Sequence, residues 1–125
     1  TMIPGASDFY PGSVVSYSNE VKMNLLGVDA AVLEAYGAVS EPVARQMADG
    51  ARRALGADCA VATSGIAGPS GGSPEKPVGT VCMAFATPEG TDTATFHFPG
   101  DRARVIDRAS TTAMIELAKR IKGLQ

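Results

Sequence analysis

A three-layer α/β/α sandwich with a mixed sheet is expected for this chain of 125 residues. Three observations lead to it. Two runs, Asp58–Thr63 and Val78–Ala86, are apolar on both faces, as strands in the middle of a covered sheet are. A third run, Thr91–Phe98, alternates, with Thr93, Thr95 and His97 on one face and Ala94, Phe96 and Phe98 on the other, the pattern of a half-exposed strand. Amphipathic helical segments stand before and after these runs, so helices can cover both sheet faces.

In chain order, Thr1-Met2-Ile3-Pro4-Gly5 reads as the end of a helix followed by a turn at Pro4-Gly5. Residues 13–18 are β-branched and aromatic and predict a short strand. Asn19 is the expected N-cap of a short helix through Leu26, closed by Gly27. Asp29 caps a second helix to about Tyr36, stopped by Gly37. Ser40 caps a third, with Pro42 in its first turn. In that helix Val43, Met47, Ala51 and Leu55 recur every four residues beside Ala44 and Ala48, an apolar stripe facing a sheet. Gly50 interrupts it at a cost of about 1 kcal/mol against alanine, which marks a close approach of another backbone. Pro88-Glu89-Gly90 predicts a hairpin turn. Asp101 opens the last helix, whose buried stripe is Val105, Ala109, Ala113, Leu117 and Ile121. Lys119, Arg120 and Lys122 suit its C-terminal dipole end.

Bulk properties narrow the function. A net charge of −2 gives no basic surface for nucleic acid. No run approaches the roughly 20 apolar residues of a membrane span. A single histidine, His97, and scattered carboxylates make no metal-ligand cluster. Cys59 and Cys82 lie in apolar runs and read as buried free thiols, with a disulfide as the minority alternative. A cytoplasmic domain follows from these features.

Two constellations can carry chemistry. The loop Ser64–Thr80 packs five glycines and three prolines between two apolar runs. Glycine lets the backbone approach a ligand closely, and proline stiffens the path. It lacks the Gly-Lys-Ser/Thr of a phosphate loop, and it leads into a strand rather than the helix of a dinucleotide fingerprint. It is either a ligand-shaping loop or a plain connection between strands. The second constellation is Tyr17-Ser18-Asn19-Glu20-Val21-Lys22. Lys22 falls in the first turn of a helix, where the positive dipole end disfavours an ammonium. If also buried, it becomes a candidate general base with the Tyr17 hydroxyl beside it. Glu20 opposes this by favouring the charged form, and a surface lysine with a core-edge tyrosine is the alternative. His97 reads as a polar-face residue of an edge strand, and Arg102 and Arg104 either meet a phosphate or lie in solvent.

Tyr17-Ser18-Asn19-x-x-Lys22, Leu26-Gly27-Val28, Gly37-Ala38-Val39-Ser40-Glu41, Gly65-Ile66-Ala67-Gly68-Pro69, Gly71-Gly72, Glu75-Lys76-Pro77-Val78-Gly79-Thr80 and Phe98-Pro99-Gly100-Asp101-Arg102 follow one another along nearly the whole chain. Together they resemble the CinA C-terminal domain, the family of bacterial nicotinamide mononucleotide deamidases also called PncC. The resemblance implies hydrolysis of the nicotinamide mononucleotide carboxamide to nicotinic acid mononucleotide and ammonia, in pyridine-nucleotide salvage, without metal or cofactor. It implies catalytic roles for Lys22, as activating base of a serine nucleophile, and for Tyr17. It implies substrate-binding roles for Asn19, Ser64, Gly65, Gly68, Gly71, Gly72 and Lys76, with Ser64 standing where the family has threonine. The expected partners are the small pyridine nucleotide and further copies of the chain in a homo-oligomer. The family's nucleophilic serine lies in a Glu-Ser-x-x-Gly-Gly segment that has no counterpart in this sequence. Residues 1–125 are therefore expected to be a single but N-terminally incomplete amidohydrolase domain, or a non-catalytic nucleotide-binding or assembly module of the same fold.

Overall fold

The computed structural model describes residues 1–123. A single 3-10 turn, Ala6–Asp8, follows the Pro4-Gly5 turn. The other elements are α1 (Asn19–Leu26), α2 (Ala30–Tyr36), α3 (Glu41–Leu55), β1 (Ala60–Gly65), β2 (Thr80–Thr87), β3 (Gly90–His97) and α4 (Arg102–Lys122).

The layered α/β class is as expected. The sheet has the order β1-β2-β3, and both strand pairs run antiparallel, so among the described strands the directions are not mixed. The cause is local: Pro88-Glu89 forms a two-residue turn that pairs Thr87 with Gly90, and the glycine-rich loop folds back to pair Gly65 with Val81. Every residue of β2 is buried, which fits the apolar run read on both faces. Alternation then divides the strand. Cys82, Ala84 and Ala86 pack with Leu26 of α1, Leu33 of α2 and Val43, Ala44, Met47 and Ala48 of α3. Val81, Met83 and Phe85 pack with Val105, Ala109 and Ala113 of α4. β1 was expected in mid-sheet but pairs only with β2 among the described strands.

The strand expected at residues 13–18 is absent. Gly12, Val14 and Ser16 are half-buried and the residues between them exposed, so the period-two pattern is real. A strand also needs a ladder partner, however, and no described strand pairs with this segment. The α1 cap is Ser18 rather than Asn19. Ser18 is extended (φ −90°, ψ 155°), and its hydroxyl accepts from the Val21 amide at 3.2 Å. Asp29, Ser40 and Asp101 cap α2, α3 and α4 as expected, each accepting from a first-turn amide.

Gly50 explains itself. A Cβ there would lie 1.9 Å from the Leu26 carbonyl oxygen, so α1 crosses α3 with backbone against backbone. The α4 stripe is narrower than expected, for Val105, Ala109 and Ala113 are buried, Leu117 half-buried and Ile121 exposed. Arg120 extends the grip of α4. Its guanidinium lies 4.0 Å from the Phe85 ring centroid and pairs with Asp92 of β3 at 2.7 Å and Glu116 at 3.0 Å.

Polar contacts tie the N-terminal end of α3 to the sheet edge. The Glu41 carboxylate accepts from the hydroxyls of Thr93 and Thr95, each at 2.6 Å. Those two hydroxyls, Thr93 first, hold the Glu41 carboxyl below the usual carboxylate range. A depressed folded-state pKa gives stability that is present above the unfolded-state value and lost as pH falls through the folded one. Glu41→Gln is therefore expected to have a lower melting temperature than wild type at pH 7, with the gap closing as pH falls below 4.5. Calorimetry from pH 7 to pH 3 checks this, and a gap that holds constant over that range refutes it.

Candidate functional site

Lys22 is the fourth residue of α1, and its amide makes the first helical bond, to the Ser18 carbonyl. Helical side chains lean toward the N-terminus. Lys22 follows that direction, and its ammonium donates to the main-chain carbonyls of Ser16 at 2.7 Å and Tyr17 at 3.5 Å. The side chain is only 6% exposed. Among the described residues no carboxylate forms an ion pair with it, so Glu20 does not supply the opposing charge. Burial pushes the Lys22 pKa down from the ordinary lysine value. The arrangement thus gives a buried amine held by neutral oxygens, which can exchange a proton without breaking a salt bridge.

Tyr17 stands differently from what its sequence neighbour suggests. Its carbonyl faces Lys22, but the residue is 86% exposed and its hydroxyl has no partner among the described residues. Asn19 is likewise exposed, as the first residue of α1.

The glycine-rich loop is an ordered structure. At its base the Ile66 amide donates to Thr80 and the Gly79 amide to Ile66, at 2.9 and 2.7 Å. Ser73 and Lys76 close an inner turn through Ser73 N–H to the Lys76 carbonyl and Lys76 N–H to the Ser73 hydroxyl. Arg102, at the start of α4, donates to the Gly68 carbonyl at 3.0 Å, so it meets the loop backbone rather than open solvent. Gly68 (φ +86°) would drive a Cβ to 2.5 Å from Val78 Cγ1, and Gly72 to 2.7 Å from the Val78 amide nitrogen. Gly65 would meet Val81 Cγ2 at 2.7 Å. Gly68 and Gly72 are required by the loop packing on itself and Gly65 by its contact with β2, whereas Gly71 meets only Ile66, at 3.6 Å, and is called for by its φ of +96°.

Ser64 and Lys76 converge on the α2–α3 turn. The Ser64 hydroxyl donates to the Ala38 carbonyl at 2.8 Å and the Lys76 ammonium to the Tyr36 carbonyl at 2.5 Å. No hydrogen bond among the described residues joins Lys22 to the loop. Two open depressions lie elsewhere: one of about 310 Å³ lined by Asp49, Arg52, Arg53 and Ala57, and one of about 400 Å³ at the β2–β3 hairpin and Arg120. Sequence reasoning gave the turn at residues 36–38 no part in the site, although the helix stop at Gly37 and the segment Gly37–Glu41 both marked it. His97 is exposed on β3, Cys82 is a buried free thiol and Cys59 a half-buried one. Among the described residues no histidine, cysteine and carboxylate group could hold a metal, and no helix is long and apolar enough to cross a membrane.

Fold and geometry define a layered α/β domain with a helix-borne buried lysine and a structured glycine-rich loop. The family described as CinA C-terminal domain matches residues 1–121, and the chain belongs to that family. A CinA-like protein of Mycobacterium tuberculosis is 54% identical over 122 residues, which are 97% of this chain and 28% of that protein. One from Mycolicibacterium paratuberculosis is 56% identical over 116 residues, 89% of this chain and 27% of the relative. The chain thus spans under a third of the curated relatives it matches. Among solved structures, competence damage-inducible protein A of Klebsiella pneumoniae superposes with a TM-score of 0.94 at 36% identity, covering 99% of this chain and 77% of that one. Competence/damage inducible protein CihA of Agrobacterium tumefaciens does so with 0.91 at 38% identity, covering 94% and 73%.

Proposed function

We propose that this domain is the lysine-bearing part of an amidohydrolase that converts nicotinamide mononucleotide to nicotinic acid mononucleotide and ammonia in pyridine-nucleotide salvage. The observation that carries the reading is Lys22, a buried amine held only by the carbonyls of Ser16 and Tyr17 and unpaired with any described carboxylate. Membership of the family supports it.

In this mechanism neutral Lys22 takes the proton of a serine hydroxyl as that oxygen attacks the carboxamide carbon. Backbone N–H groups hold the oxyanion. Lys22 returns the proton to the departing nitrogen, which leaves as ammonia, and water then hydrolyses the acyl ester to the free acid. The nucleophile in this reading is a serine outside residues 1–125. The family resemblance gives Tyr17 an assisting part in the proton transfers, although its exposed hydroxyl makes no bond to Lys22 here; Asn19 and the loop residues Ser64, Gly65, Gly68, Gly71, Gly72 and Lys76 shape the nucleotide pocket. No metal or cofactor enters. A cytoplasmic setting and a homo-oligomeric assembly belong to the same reading, and light scattering of the purified protein checks the latter.

The test is ammonia release from nicotinamide mononucleotide by the full chain, paired with its intact mass. The expected result is equal amounts of ammonia and nicotinic acid mononucleotide. A second reading, a non-catalytic nucleotide-binding or assembly module, draws on the Tyr17 side chain, which is exposed and makes no hydrogen bond to the Lys22 amine. Calorimetric binding of the nucleotide with no ammonia release would select that reading.

A further inference from the structure

Three successive carbonyls of the α2–α3 turn, those of Tyr36, Gly37 and Ala38, each accept a hydrogen bond from a different side chain. Lys76 Nζ donates to Tyr36 at 2.5 Å, Ser40 Oγ to Gly37 at 2.7 Å and Ser64 Oγ to Ala38 at 2.8 Å. Ser40 is the local cap of α3. The other two donors reach the turn from 40 and 26 residues away. They bracket the glycine-rich loop, Ser64 at its entrance on β1 and Lys76 just before its exit into β2.

Burial agrees with the bonding. From Gly71 to Val78 every residue is exposed except Lys76. A Cβ at Gly37, the residue that closes α2 with φ +77°, would lie 3.4 Å from the Lys76 nitrogen, so the amine sits against the helix end itself. The last carbonyls of a helix lack intrahelical partners and carry the negative end of its dipole, and a cation donating there satisfies both.

We propose that Lys76 and Ser64 are positioning residues that moor the two ends of the glycine-rich loop to residues 36–38. The loop's shape is then fixed by the α2–α3 turn before any ligand arrives, and Lys76 acts through that shape rather than as a cation on the substrate. The catalytic consequence rests on the amidohydrolase reading; the mooring does not.

Amide hydrogen exchange on the full chain tests the mooring directly. Lys76→Met keeps the stem and removes the donors. The Ser73 and Gly79 amides, which close the loop, are expected to exchange about tenfold faster or more in this variant, with β2 amides unmoved. Ser64→Ala should act in the same direction, and Lys76→Arg should restore protection. Loop exchange unchanged in both Lys76→Met and Ser64→Ala overturns the proposal. Kinetics with nicotinamide mononucleotide supply the second arm. Mooring predicts that Lys76→Met raises KM with little change in kcat, with rescue by Lys76→Arg. A raised KM without faster loop exchange overturns it in favour of a direct contact with the nucleotide. An absence of turnover in wild type would defeat the amidohydrolase reading alone, because exchange still decides the mooring.

Discussion

Replacing Lys22 with methionine is expected to slow ammonia release from nicotinamide mononucleotide by about 10²–10⁴-fold, the range over which a positioned general base acts. Methionine keeps a similar unbranched stem in the buried site and removes only the amine that faces Ser16 and Tyr17. Far-UV circular dichroism of the variant should match wild type, which separates lost chemistry from lost fold. The pH profile carries the sign of the argument. A base works deprotonated, so kcat/KM climbs with pH and levels off above the Lys22 pKa. Burial lowers that pKa, so the plateau begins at lower pH than a solvent-exposed lysine would give. Arginine at the same position should abolish the climb, because it stays charged throughout. Turnover within about tenfold of wild type in Lys22→Met would remove this residue from the chemistry.

The second large effect is on stability. Gly50→Ala is expected to destabilise the domain by up to about 2 kcal/mol. Helix propensity alone favours alanine by about 1 kcal/mol, but the added methyl would stand 1.9 Å from the Leu26 carbonyl oxygen and 2.9 Å from its Cα. Neither neighbour is a flexible side chain, so α1 and α3 must move apart, and overpacking of this kind costs about 1–3 kcal/mol before the loss of surrounding contacts. Leu26 itself is buried in the core that α1, α2 and α3 share with β2. Urea unfolding followed by circular dichroism gives the number. A midpoint equal to or above wild type would mean that the helix crossing yields freely. An unchanged m-value with a lowered midpoint is the expected pattern.

The contrast between these residues tells what a sequence can carry. Asp29, Ser40 and Asp101 were readable as caps because a cap acts within three residues. Ser18 took the role given to Asn19 because both residue types cap well and the choice falls to backbone dihedrals. Gly50 was readable as a close approach, since nothing else justifies glycine on a helix stripe, although its partner was not. Residues 13–18 have the composition and burial rhythm of a strand, but pairing is decided by distant chain. β1 slid from the expected Asp58–Thr63 to Ala60–Gly65 because its ladder with β2 sets the ends, Ala60 opposite Ala86 and Gly65 opposite Val81. At the site, the position of Lys22 near a helix start was legible, but its carbonyl partners were not. The bonds of Ser64 and Lys76 to the α2–α3 turn were invisible, because they span 26 and 40 residues and leave no periodic trace.

The division of β2 has a bearing on how this domain can change over generations. Toward α3 it presents Cys82, Ala84 and Ala86, small buried side chains with little left to trim. Toward α4 it presents Val81, Met83 and Phe85, where bulk can be redistributed and unbranched Met83 can take up irregular gaps. A heritable enlargement on the first face pushes α3, and α3 is capped by Ser40, beside the carbonyls that hold the glycine-rich loop. The same enlargement on the second face pushes α4, whose first residue, Arg102, holds the Gly68 carbonyl of the same loop. Both faces of β2 therefore reach the glycine-rich loop through the start of a helix, so substitutions on either side are held back by what they would disturb.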